Sequence, residues 1–126
     1  MDPMPRLILV IEDDAPVLEA LAHTVGRLGY DATLAETAAD AVTLAELARP
    51  DAILLDVAVP DVNGTPAFDR LRTLRPDVPI IMVAGAGAEP LARESLRRGA
   101  FDYVMKPFNE SHLTEVLRAA LRRPGV

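Results

Sequence analysis

The sequence predicts an α/β domain in which five strands alternate with five helices, and three observations carry this reading. Leu7–Ile11, residues 52–55 and Ile80–Ala84 are short, continuous runs of mostly Leu, Ile and Val, bounded by turn formers or acids. Such runs fit strands buried on both faces of a parallel sheet. Between them the apolar residues recur at helical spacing, as in Leu18, Leu21, Ala22, Val25 and Leu28. The two rhythms alternate along the chain, which is the pattern of a parallel sheet covered by helices on both faces.

The elements follow in order. Strand one is Leu7–Ile11. Helix one opens at Asp14, a capping residue, carries Pro16 in its first turn and stops at Gly29, where a helix-terminating glycine belongs. Strand two covers residues 32–35 and helix two Ala38–Ala48. Strand three covers residues 52–55 and ends on Asp56, and helix three covers 65–74. Strand four is Ile80–Ala84, helix four 89–98 and strand five 101–105. Helix five starts after the cap candidate Asn109 and shows its apolar face as Leu113, Val116, Leu117, Ala120 and Leu121. Residues 123–126 read as a tail or the start of a linker.

Composition narrows the function. The 126 residues make one domain, half hydrophobic and a quarter charged, the balance of a folded globular chain. With no cysteine, disulfides, thiolate zinc, iron–sulfur clusters and thiol nucleophiles are excluded. The net charge of −6 argues against direct nucleic-acid binding and suits a site that gathers cations. The longest apolar runs are five to six residues, too short to span a bilayer, and residues 1–6 lack the apolar core of a signal peptide. A cytoplasmic location is the expectation.

Ligands of open α/β sheets bind at the carboxyl ends of the strands, near the point where strand order reverses. Strand one ends in Glu12-Asp13-Asp14 and strand three in Asp56. If these strands are neighbours, three or four carboxylates converge, and a hard divalent cation such as Mg²⁺ relieves their repulsion. The plainer reading is that Asp13 and Asp14 cap helix one. After Asp56, Pro60 stiffens a loop and Gly64 supplies a permissive backbone before the next helix. At the end of strand five stands Lys106, the only lysine against twelve arginines, held extended by Pro107. It reads as a point charge reaching an anion at Asp56, or else as a solvated surface lysine.

These residues resemble the receiver domain of two-component response regulators. Glu12-Asp13, Asp56 with Pro60 and Gly64, and the run from Gly99 through Lys106-Pro107-Phe108 stand where that family has them, with 43 residues from Asp13 to Asp56 and 50 from Asp56 to Lys106. The resemblance covers about residues 6–122 and implies a flavodoxin-like (βα)5 three-layer sandwich with strand order 2-1-3-4-5. It implies that Asp56 accepts a phosphoryl group from a phosphohistidine. Mg²⁺, or Mn²⁺ in its place, would be held by Asp13, Asp56 and the backbone carbonyl of Ala58, with Glu12 acting through water. Lys106 and the backbone N–H groups of Ala58 and Gly85 would bind the phosphoryl oxygens. The implied partners are a sensor histidine kinase or histidine phosphotransfer protein, met near Leu18, Glu19 and Ala22. Downstream would lie a protein target or an output domain lost from this chain. Output contact or homodimerisation would use the face of helix four, strand five and helix five. Neither enzyme activity beyond slow autodephosphorylation, nor nucleic-acid or membrane binding, is implied.

One departure stands out. The family has Thr or Ser 22 residues before the lysine, and here that residue is Ala84. The second switch residue, the strand-five aromatic, is present as Tyr103. A hydrogen bond to a charged group is worth roughly 1.5–3 kcal/mol, so its loss damps the active-state bias by about 10- to 100-fold. Phosphate-independent docking is the rival this favours. A phosphohydrolase would need an acid where Ala58 stands, and a flavin carrier would meet repulsion from Glu12-Asp13-Asp14. Gly85-Ala86-Gly87 lacks the remaining residues of a nucleotide loop. His23 and His112 read as ordinary histidines, and Arg93, Arg97 and Arg98 as a solvated stripe or a partner contact.

Overall fold

The computed structural model describes residues 5–61 and 64–122, so the expectations for residues 1–4, for the loop at Val62 and Asn63 and for the tail at 123–126 lie outside the described residues. Its strands are β1 (Leu7–Ile11), β2 (Asp31–Ala35), β3 (Ala52–Asp56), β4 (Ile80–Ala84) and β5 (Asp102–Met105). Its helices are α1 (Ala15–Arg27), α2 (Ala38–Ala48), α3 (Ala67–Leu74), α4 (Glu89–Arg97) and α5 (Glu110–Leu121). All strand pairs are parallel, in the order β2-β1-β3-β4-β5. The predicted flavodoxin-like (βα)5 sandwich is therefore the fold.

The right-handed crossover rule explains the layers. The chain steps from β1 outward to β2, then reverses and steps from β3 to β5. Helices of the two directions must lie on opposite faces. Accordingly α1 and α5 pack with Ile8, Val10, Leu54, Ile81 and Val83, whereas α2, α3 and α4 pack with Leu9, Ile11, Ile53, Leu55 and Met82. Alternate residues of each central strand thus serve opposite layers, as the two-residue period of a strand requires. This is why β3 and β4 are buried throughout.

The predicted caps form. The Asp14 carboxylate accepts from Val17 N–H at 3.4 Å, and Asn109 accepts from His112 N–H at 3.1 Å. Gly29 closes α1 with φ +93°, a conformation that costs a side-chain-bearing residue. All five apolar residues named for α5 are buried, but in α1 Ala22 and Leu28 are only half-buried. Two bounds shift. Helix three begins at Ala67 rather than 65, because Pro66 takes the N-cap with extended ψ 138°. Strand five begins at Asp102 rather than 101, leaving Phe101 exposed although its N–H still donates to Ile80 O at 2.8 Å.

Candidate functional site

The sheet order builds the site. Ile11 pairs with Leu55, so the next residues, Glu12 and Asp56, emerge side by side at the carboxyl ends of adjacent strands. Ala84 pairs with Met105, and Lys106 N–H donates to Ala84 O at 2.8 Å, which brings Lys106 to the same end of the sheet. The Lys106–Pro107 peptide is cis. Gly85 borders the lysine stem, since a Cβ there would lie 3.9 Å from Lys106 Cδ.

Glu12 and Asp56 are 1% and 3% exposed, the two buried charged side chains among the described residues. The Lys106 ammonium, on a side chain 25% exposed, bonds Asp56 Oδ2 and lies 2.7 Å from Glu12 Oε1. Ala58 N–H donates to Asp56 Oδ1 at 2.7 Å, and Asp14 N–H donates to Glu12 Oε2 at 3.2 Å. Glu12 Oε1 is fully buried, and the Lys106 ammonium is the counter-charge set against it.

Two carboxylates this close do not ionise alike. Burial, and then the neighbouring Asp56, push Glu12 up to about 7. Burial alone would raise Asp56 too, but hydrogen bonds from Glu12, Lys106 and the Ala58 N–H outweigh it and hold Asp56 below the usual carboxylate range. Burial likewise works against the Lys106 charge, and its bonds to Asp56 and Glu12 reverse that, raising its pKa. Below about pH 7 the metal-free site is thus an ionised Asp56 against an ammonium, with the shared proton on Glu12.

This has a measurable consequence for the metal-free protein. A carboxyl raised on folding stabilises the fold below its ordinary pKa of 4.5, and that contribution is lost as pH rises through about 7. Asp56 acts oppositely, its contribution being lost at acid pH. The difference in urea stability between wild type and Glu12→Gln should therefore change between pH 4.5 and about 7, with the wild type losing ground as pH rises. A difference that stays flat across that range contradicts the assignment.

The structure corrects the expected convergence of three or four carboxylates. Asp13 and Asp14 are exposed, and among the described residues no group of three or more acidic, His or Cys side chains comes together in metal-ligating range. Asp14 instead turns outward to cap α1. The ammonium of Lys106 neutralises the pair that remains.

The other predicted residues fall as follows. Ala58 lies on the exposed turn after β3, and Gly64 has φ +81°. Ala84 is fully buried at the end of β4. Tyr103 is half-buried and its hydroxyl donates to Glu89 Oε2 at 2.7 Å. His23 and His112 are exposed, as are Arg93, Arg97 and Arg98, which pair with Glu89, Glu94 and Asp69. Sequence reasoning missed Glu89. It lies 14 residues from Tyr103 on another element, and no local pattern marks the pair.

A doubly wound α/β domain with an acidic pair and a lysine at its switch point defines a class, and comparison with known proteins identifies it. Residues 8–118 match the family model described as the response regulator receiver domain, and the chain belongs to that family. Membership makes it a module of phosphorelay signalling rather than an enzyme. It is 37% identical over 122 residues to the phosphate regulon transcriptional regulatory protein PhoB of Pseudomonas aeruginosa, covering 95% of this chain and 53% of that protein. It is 38% identical over 125 residues to the DNA-binding response regulator MtrA of Mycobacterium tuberculosis, covering 98% and 54%. The chain thus spans about half the length of these relatives. Among solved structures, a CheY-like receiver domain protein from Methanospirillum hungatei superposes with TM-score 0.83 at 30% identity, over 94% of each chain. A receiver domain protein from Clostridium thermocellum, 22% identical, shares the fold with TM-score 0.86 over 94% of this chain and 95% of that one.

Proposed function

We propose that residues 6–122 form a receiver domain in which Asp56 is the phosphoacceptor. The observation that carries this is Asp56 itself, buried yet ionised at the end of β3, with Lys106 on one carboxylate oxygen and the Ala58 N–H on the other. The phosphoryl group passes from a phosphohistidine nitrogen to an Asp56 oxygen. The P–N bond breaks, a P–O bond forms, and the imidazole leaves with the electron pair. Transfer of this kind is mostly positioning and charge neutralisation. Lys106 supplies a cation at the acceptor, and the N–H groups of Ala58 and Gly85 would donate to the phosphoryl oxygens.

The donor set also fits a hard cation. The fit is one of donor chemistry, every side-chain donor being a carboxylate, and a bound cation would have to draw the exposed Asp13 in beside Asp56. Asp13, Asp56 and the Ala58 carbonyl would hold Mg²⁺, or Mn²⁺, with Glu12 acting through water. When bound, the metal offsets charge on the phosphoryl oxygens. The proposed partners are a sensor kinase or phosphotransfer protein upstream, and a protein target or output domain downstream. Among the described residues no helix is long and apolar enough to cross a membrane, and a cytoplasmic location suits the proposal.

The test is intact mass after incubation with Mg²⁺ and acetyl phosphate. We expect one added phosphoryl group, about 80 Da, absent without Mg²⁺ and absent in Asp56→Asn. The rival, a phosphate-independent docking module, is favoured by the buried methyl of Ala84. An unmodified wild type that also fails to bind Mg²⁺ would select it.

A further inference from the structure

Helix α4 is the least anchored helix of the fold. Ala92 alone of its nine residues is buried, whereas every other helix buries three or more. Its N-cap residue, Ala88, makes no side-chain capping bond. It is reached through Gly85-Ala86-Gly87, with Gly87 at φ +82°. Beneath it lies a cavity of about 300 Å³ that runs from Asp56 past Phe68 and Met82 to Leu91 and Arg98. Leu91, beside this cavity, is 59% exposed. The helix is clipped down at its two ends instead. At the N-terminal end the Tyr103 hydroxyl of β5 donates to Glu89 Oε2 at 2.7 Å, with Arg93 at 3.5 Å from the other carboxylate oxygen. At the C-terminal end Arg98 pairs with Asp69 of α3.

The two clips differ in strength. The Arg98–Asp69 pair is substantially exposed and contributes little. The Tyr103–Glu89 bond is half-buried and charge-assisted, which makes it the stronger. It joins β5 to α4, the helix that follows the loop after Ala84. Ala84 itself offers no polar group, and the side chain that holds Tyr103 belongs to α4.

We infer that Glu89 is the positioning residue of this chain's switch: it holds Tyr103 and pins α4 while Asp56 is unmodified, and the clip opens when a phosphoryl group draws in the loop after Ala84. The inference rests on Asp56 being the acceptor. The path is short, because residues 85–88 join the end of β4, beside Lys106, directly to Glu89. No hydroxyl at position 84 is needed for it.

Amide hydrogen exchange of the unmodified protein tests the clip without any phosphoryl chemistry. Glu89→Ala and Tyr103→Phe should each speed exchange in α4 by about ten-fold, the effect of losing one charge-assisted bond on local opening, and leave α1 and α5 unchanged. The double variant should exchange no faster than either single one, and Glu89→Gln, which keeps an acceptor, should restore most of the protection. Beryllofluoride with Mg²⁺ should then bring wild-type α4 to the rate of Glu89→Ala. Unchanged α4 protection in both single variants, or additive effects in the double variant, overturns the clip. A protected α4 with beryllofluoride demonstrably bound overturns the release. Failure of beryllofluoride to bind, with the clip intact in the free protein, sinks the phosphoacceptor reading and with it the release step.

Discussion

Replacing Lys106 by Met should cost about 3 kcal/mol of stability at about pH 8 in metal-free buffer, and much less at about pH 5. The substitution keeps the apolar stem that lies against Gly85 and removes only the charge. In the wild type that charge offsets the buried Asp56 and sits 2.7 Å from Glu12. Without it, two carboxyls that are 3% and 1% exposed face each other with one shared proton and no counter-charge. Breaking a buried pair costs roughly 3–5 kcal/mol, and the lower end applies because the ammonium is partly solvated. Asp56 loses both the hydrogen bond and the attraction of the ammonium, so its pKa rises in the direction burial pushes it. A raised carboxyl favours the fold at low pH and opposes it at high pH, hence the predicted narrowing toward acid. Urea unfolding at the two pH values reads both numbers. Equal losses at both would assign the effect to packing of the stem. Added Mg²⁺ should also stabilise the variant more than the wild type, because the cation then enters a pocket with no ammonium to displace.

Ala84→Ser restores the missing hydroxyl, and it should strengthen the phosphorylated state's bias toward the switched conformation by about 10- to 100-fold, the value of one hydrogen bond to a charged group. The same change should lower the stability of the unmodified protein by about 1–2 kcal/mol. Ala84 is fully buried at the end of β4, and a hydroxyl there has no phosphoryl oxygen to meet until Asp56 is modified. The two effects have opposite sign in the two states, and that separates a switch residue from a packing defect. Chemical shifts of Tyr103 with and without beryllofluoride report the bias, and urea unfolding reports the cost. A variant destabilised equally in both states would show that the methyl of Ala84 is only core.

Much of this protein was legible in the residues. Unbroken apolar runs at Leu7–Ile11 and Ile80–Ala84 marked strands covered on both sides, because a parallel sheet between two helical layers leaves a central strand no polar face. The caps at Asp14 and Asn109 and the terminating Gly29 were legible because capping is local chemistry, settled within three or four residues. Asp56 and Lys106 could be paired across 50 residues because each ends a strand, and strand ends of one sheet share an edge.

Other features depended on distances the sequence does not encode. That Glu12 rather than Asp13 shares the buried pocket follows from the register of Ile11 on Leu55, which sets Glu12 beside Asp56 and leaves the next residues to turn outward. That Glu12 is raised to about 7 while Asp56 is lowered follows from burial and from where Lys106 comes to rest, which are properties of the assembled site. The Tyr103–Glu89 clip and the cavity under α4 arise only when α4 is laid across β5 and α3, because side chains on separate elements meet through packing and not through spacing. Local chemistry is short-ranged along the chain and can be read from it. The charge state of the pocket and the anchoring of α4 are short-ranged only in space, and the tertiary structure alone decides them.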